Sequence, residues 1–354
     1  MVDVDWQRLA QTLDSRRLLT VLGPRILELA DGRADSAFAA AIEQALQAGR
    51  QQGAFFALVC LRVIAELGAA GIRCSALKGP LLGEAIYGDP GRRLSSDVDL
   101  LVCPDDLQAA VKVVRGMGYG APIDHVQSEG LPLLHFVLLH EQAQLPSIEL
   151  HWRVHWYESS FAHERLLPPA PDATGRWRPA PADELIELLL FYARDGFADL
   201  RLASDLSAWW DVYGAELAPD ALQQALDRYP ALVRVIPAAL AAAERVVGLP
   251  AGEVLVAAKK LDARQRLAVR LVNPSSRGSA AQVYADMGLI DGLLAPPGGF
   301  GDFVARQLLP PPEVLDQQAQ HGSRGRARSR LGRALGVLGR YGLTLARSVR
   351  VSEP

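Results

Sequence analysis

The sequence predicts an α+β (mixed α/β) fold in which a mixed sheet flanked by helices is followed by an all-helical C-terminal unit. Three observations predict it. Short apolar runs with interleaved polar positions lie between residues 72 and 156, long segments with three- and four-residue apolar spacing flank them, and a proline-rich stretch at 157–182 separates the two regions. At 354 residues, with 49% hydrophobic and 22% charged side chains, the chain has apolar material enough for two packed units.

Taken in order, residues 5–30 and 37–69 carry apolar positions at helical intervals around the polar loop "DGRADS", which predicts an N-terminal helical pair. "IRCSAL" predicts a strand over 72–77. Pro80 then stands where a new helix begins, because its fixed backbone angle suits the first turn, and that helix should run to Tyr87. "GDPGRR" is a loop, "DVDLLV" a second strand, and "PDDLQAAVKVVRGMG" a helix opened by proline and acids and closed by glycines. "LPLLHFVLLH" and "SIELHWRVHW", joined by the turn "EQAQLP", predict an antiparallel hairpin. Beyond residue 182, "DELIELLLFYARDGF", "DLRLASDLSAWWDVYG", "PDALQQALDRY" and "ALVRVIPAALAAAERVVG" are helical by period. Residues 287–313, with several Gly and Pro, read as a loop-rich wrap. The expected divisions are 1–70, a helical segment packed on the core; 71–180, the core; 181–313, a helical domain; and 314–354, a basic tail.

The formal charge of −3 argues against a surface built wholly for nucleic acid. Charge is concentrated locally, in a tail where Arg324, Arg326, Arg328, Arg330, Arg333, Arg340, Arg347 and Arg350 precede the first acid, Glu353. That tail predicts a solvated extension, with an anionic partner such as RNA or a membrane surface as alternatives. Cys60, Cys74 and Cys103 are odd in number and widely spaced, which indicates neither a disulfide framework nor a thiolate zinc site and fits a cytoplasmic location. The N-terminus lacks the basic and apolar regions of a signal peptide, and "AFFALVCLRVIAELGAAGI", interrupted by Arg62 and Glu66, reads as a core helix rather than a transmembrane segment.

The chemistry is concentrated in "SALKGPLLGEAIYGDPGRRLSSDVDLLV". Side chains two apart in a strand share a face, so Asp97 and Asp99 stand on one side about 6.5–7 Å apart at the backbone, with Val98 and Leu100 on the other. Two carboxylates so placed repel each other and lose hydration worth several kcal/mol unless a cation joins them. Mg²⁺, with hard oxygen ligands and open positions for water and phosphate, is the natural one. In "SIELHW", Glu149 and His151 likewise share a face, which makes Glu149 a third carboxylate, as ligand or base, and His151 a phosphate contact or an orienting partner. An ion pair with Arg153 is the competing reading of Glu149. Lys78-Gly79, at a strand-to-helix turn, offers backbone amides and a positive charge to a phosphate, and Arg92, Arg93, Ser95 and Ser96 stand just ahead of the aspartates. His135 and His140, in an apolar strand, read as structural, and Trp209 and Trp210 as core or interface. P-loop and dinucleotide fingerprints are absent from the sequence.

"LKGP", Tyr87, Arg93, "SDVDLLV" and "ELHWRV", in that order, resemble the polymerase-beta-like nucleotidyltransferases, and within them a bacterial group of uncharacterised nucleotidyltransferases. The resemblance is strong over 70–156 and looser over the helical unit. It implies a polymerase-beta-like core, Lys78-Gly79 in place of a glycine-serine pair, and transfer of a nucleoside monophosphate from an NTP to a hydroxyl with release of pyrophosphate. It implies two Mg²⁺ ions, with Mn²⁺ as a substitute, held by Asp97, Asp99 and Glu149, and it supports Arg93 as a phosphate contact; the residues themselves predict an NTP contacted by Lys78, Gly79, Arg93, Ser96 and His151. The acceptor is left open among a protein, a small molecule and a nucleic-acid end. The rival expectations are a non-catalytic nucleotide-binding or scaffold protein and a toxin-antitoxin component that modifies a partner.

Overall fold

The computed structural model describes residues 4–123, 134–175, 177–271, 280–308 and 330–350. Its centre is a five-stranded mixed sheet of β1 (Cys74–Ala76), β2 (Asp97–Val102), β3 (Tyr119–Ile123), β4 (His135–His140) and β5 (Ser147–His151), in the order β1-β2-β5-β4-β3. β2 and β5 run parallel, and every other pair is antiparallel. The expected hairpin is therefore present as β4–β5, and the sheet is mixed as the sequence predicts. The first three residues of "LPLLHFVLLH" lie outside the described residues.

Alternation decides what each face of the sheet carries. Val98, Leu100 and Val102 of β2, with Ile148 and Leu150 of β5, point to one side and pack on helices α3 (Ser36–Ala69) and α5 (Leu107–Gly116), burying Val63, Ile64 and Leu67 of the former and Val111 and Val114 of the latter. α3 is long and apolar enough to cross a membrane by length and composition, and its apolar stripe through Cys60, Val63, Ile64 and Leu67 is spent against this face. The opposite face meets α7 (Pro181–Arg194), whose residues from Asp183 to Ala193 are all buried because α8 (Leu200–Tyr213) and α10 (Leu232–Val247) cover its far side. One apolar cluster runs from Leu77 and Leu101 of the core through α7 to Trp209 and Leu240, so packing continues without a break across residue 180. Trp209 is core, as expected, and its indole nitrogen donates to Glu184.

Several elements differ from the sequence reading. Residues 5–30 form two helices, α1 (Trp6–Ser15) and α2 (Leu19–Ala30), because the backbone turns at Arg17, whose φ is 55°. The first strand is shorter than 72–77. β3 occupies a stretch where the sequence predicts a loop. Much of the expected 287–313 wrap is helical, in Ala280–Leu294 and Phe300–Gln307, and residues 309–313 lie outside the described residues. Part of the basic tail is a helix, Arg330–Arg350, whose Val337 and Tyr341 pack on Ala285 and Phe303. Arg324, Arg326 and Arg328 lie outside the described residues.

Candidate active site

The parallel pairing of β2 with β5 sets Asp99 opposite Glu149, and the antiparallel pairing of β5 with β4 sets His151 opposite His135. Asp97, Asp99, Glu149, His151 and His135 thus gather on the face that α7 covers. Asp99 is 2% exposed, a depth at which a lone carboxylate is rarely found. Its two oxygens are both engaged. Lys78 Nζ donates to Oδ2 at 2.7 Å, and His151 Nε2 donates to Oδ1 at 2.9 Å. Burial by itself would push the Asp99 carboxyl up, but the Lys78 charge and the His151 bond outweigh it and hold the group well below the usual carboxylate range.

Lys78 is positioned by the turn after β1. Gly79 takes φ 109° and ψ −153°, a backbone region that glycine alone enters without strain, and Pro80 opens α4 (Pro80–Tyr87) with no side chain capping the start of the helix. The ammonium also sits 4.9 Å from the centroid of the Phe191 ring on α7. Asp97, at the start of β2, is half-buried, and its Oδ2 accepts from Ser96 Oγ at 3.0 Å. Ser96 is exposed and in turn accepts from the exposed Arg17 at 3.3 Å.

Glu149 faces the two imidazoles rather than Arg153: its Oε2 is 3.2 Å from His135 Nε2 and 3.4 Å from His151 Nε2. His151 is fully buried, its ring edge-on to Phe191 of α7 with centroids 6.0 Å apart. Arg93 is buried as well. Its guanidinium is 6% exposed and binds Asp205 of α8 at 2.8 Å, with Tyr87 donating to the other oxygen of Asp205 at 3.0 Å. Desolvation disfavours the charge on Arg93, and the Asp205 carboxylate more than compensates. The expected phosphate contact is therefore occupied by an ion pair between core and helical unit.

Sequence reading overlooked four residues around the site. His135 is visible only once the β4–β5 register is known. Phe191 and Glu187 sit in an apolar helix that reads as core, yet Glu187 is buried near Lys78 and Asp99, and burial, reinforced by the Glu184 charge, pushes its carboxyl well above the ordinary range. Arg17 lies 79 residues before Ser96, and no local pattern links them.

No curated protein and no solved structure matches the chain. Residues 3–246 match a family described as an uncharacterised nucleotidyltransferase, a span that takes in the sheet, the acidic face and α7 through α10, and the chain belongs to that family.

Proposed function

We propose that the protein is a Mg²⁺-dependent enzyme that transfers a nucleoside monophosphate from an NTP to a hydroxyl acceptor and releases pyrophosphate. The observation that carries this reading is the register of Asp99 against Glu149 on parallel strands, with Asp97 two residues away on the same face. Three carboxylates on one sheet face are the hard-oxygen donor set that Mg²⁺ takes. Asp97 fits best, since it is partly open to solvent while both oxygens of Asp99 already accept hydrogen bonds. Asp97 and Asp99, completed by Glu149, would hold the metal. When bound, it would supply Lewis-acid stabilisation of charge on the reacting phosphate.

The rest falls to the chain itself. Lys78 neutralises Asp99 in the free protein and stands beside Gly79, where an incoming phosphate would compete for its ammonium. Arg17 and Ser96, both exposed beside Asp97, are the phosphate contacts on this reading, and Arg93 orients the loop before β2 through Asp205. Glu149, as the ligand on the neighbouring strand, would assist the acceptor hydroxyl. The three free cysteines suit a reducing cytoplasm.

The test is incubation of purified protein with each α-labelled NTP and Mg²⁺, scoring pyrophosphate release and label transfer to the protein itself or to a cell extract, beside folded Asp97→Asn. The expected result is metal-dependent pyrophosphate release that Asp97→Asn abolishes. Failure to bind any NTP, or equal behaviour of the two proteins, overturns the reading. NTP binding without release leaves a nucleotide-binding protein rather than an enzyme.

A further inference from the structure

The acidic face holds a second donor set, which shares Glu149 with the oxygen chemistry above and adds two imidazoles to it. His135 and His151 are paired across β4 and β5, and Glu149 stands diagonally beside them on the same side of the sheet. Their rings lie 4.5 Å apart between centroids, and one atom from each residue falls within 4.8 Å of the other two. Two of the separations, 3.2 Å and 3.4 Å from the imidazole nitrogens to Glu149 Oε2, are informative. Ligands bound tetrahedrally to zinc at about 2.0–2.1 Å are about 3.3–3.4 Å from one another. Two of the three donor separations therefore already match a coordination shell, and the third, between the imidazole nitrogens, is within 4.8 Å.

The geometry points to a site for a borderline transition-metal ion, of the Zn²⁺ or Co²⁺ class, held by His135 Nε2, Glu149 Oε2 and His151 Nε2. Two imidazole nitrogens with one carboxylate select such an ion over Mg²⁺, which takes oxygen. The Oδ1 of Asp99, 2.9 Å from His151 Nε2, brings a second negative charge beside the ion. His135 and Glu149 have side chains 13% and 17% exposed, so the site is reached from solvent without unfolding. On binding, each neutral ring would give its Nε2 lone pair to the ion and carry its single proton on Nδ1 instead. No donor engages the buried Nδ1 of His135 or His151 among the described residues, so nothing there locks the rings in the opposite tautomer. No acceptor receives those Nδ1 protons either. Outer partners of that kind contribute about 10- to 100-fold in metal affinity, and the ion is accordingly expected to exchange rather than to copurify as a permanent structural metal.

This site does not depend on the nucleotidyl-transfer reading, because its test measures no turnover. Tag-free full-length protein is stripped with chelator and titrated with Co²⁺ alone, following the visible d–d absorption, then with Zn²⁺ as competitor. Wild type is expected to bind one equivalent with a band that Zn²⁺ removes, and Asp97→Asn to behave the same. His135→Gln, which keeps a hydrogen-bonding side chain at a partly exposed position, is expected to weaken binding by about tenfold or more. Zn²⁺ should raise the melting temperature of wild type and leave that of His135→Gln unchanged. Absence of the Co²⁺ band in wild type, undiminished binding by folded His135→Gln, or loss of the band in folded Asp97→Asn each overturns the assignment.

Discussion

Lys78 and Asp99 form an ion pair whose carboxylate is buried and whose ammonium is largely so, with side chains 16% and 1% exposed and an N···O distance of 2.7 Å. A buried pair of this kind adds little net stability compared with an apolar pair of the same shape, but removing one partner strands the other charge. Lys78→Met is therefore expected to cost about 3–5 kcal/mol, and Asp99→Asn a comparable amount. The double variant Lys78→Met/Asp99→Asn should recover a large part of that loss, which urea unfolding of the four proteins will measure. If the single losses simply add, the two groups are not coupled as described.

Arg17 reaches Ser96 from the turn between α1 and α2, and its side chain is exposed. A phosphate contact made by an exposed cation stabilises the bound NTP and does little for the fold. A charge-assisted hydrogen bond contributes about 1.5–3 kcal/mol, so Arg17→Gln is expected to raise KM for the NTP roughly ten- to hundredfold while kcat changes little. Thermal stability should move by no more than about 0.5 kcal/mol in ΔG of unfolding. An unchanged KM would remove Arg17 from the phosphate path.

How much of this was legible in the sequence depends on how far apart the partners lie. β2 and β5 could be read directly, because acids alternating with Val, Leu and Ile state both the strand and its faces. The turn at Lys78-Gly79 and the helix from Pro80 were equally local. β3 escaped notice because "YGAPI" contains Gly and Pro, both depleted in strands, and the segment is tolerable only at the sheet edge it occupies. The helix Ala280–Leu294 was hidden by its glycines, which read as turns. Gly292 is there for contact: a Cβ at that position would come within 2.6 Å of the Phe303 ring. The fate of Arg93 was invisible for a different reason. Its partner Asp205 lies 112 residues away, and only the docking of α8 on α4 reveals it.

That docking makes a prediction of its own. Arg93 and Asp205 are almost wholly buried, and Tyr87 donates to the same carboxylate. Asp205→Asn leaves a buried guanidinium without a counter-charge and is expected to destabilise by about 3–5 kcal/mol. Arg93→Lys should fare little better, because an ammonium cannot supply the fork that binds Asp205 and Ser95 together. Limited proteolysis is the sensitive measurement, since weakening this contact should expose the segment around residues 88–96 to cleavage before the rest of the chain. Cleavage elsewhere first would show that the ion pair does not tie the loop to the helical unit.

The pH dependence of stability can be argued from one turn, where His155 and Glu158 are joined by an isolated bridge and both are buried. Burial, with the Arg306 charge adding to it, pushes the His155 imidazole down to about 3, whereas burial pushes the Glu158 carboxyl up to about 7 against its bonds to the Phe161 and Ala162 amides. The unfolded chain binds the extra proton at His155 between about pH 3 and 6.5, so that residue makes stability fall as pH drops through the window. The folded chain binds the extra proton at Glu158 between about pH 4.5 and 7, so that residue makes stability fall as pH rises. Over the shared range from about 4.5 to 6.5 the two slopes oppose each other and largely cancel. His155→Phe should uncover a decline of about 3 kcal/mol as pH increases from 4.5 to 7, and Glu158→Gln should uncover a rise of similar size over the same interval. Urea midpoints measured against pH for the three proteins decide the matter: curves that remain parallel would mean that neither group carries a perturbed proton in the folded state.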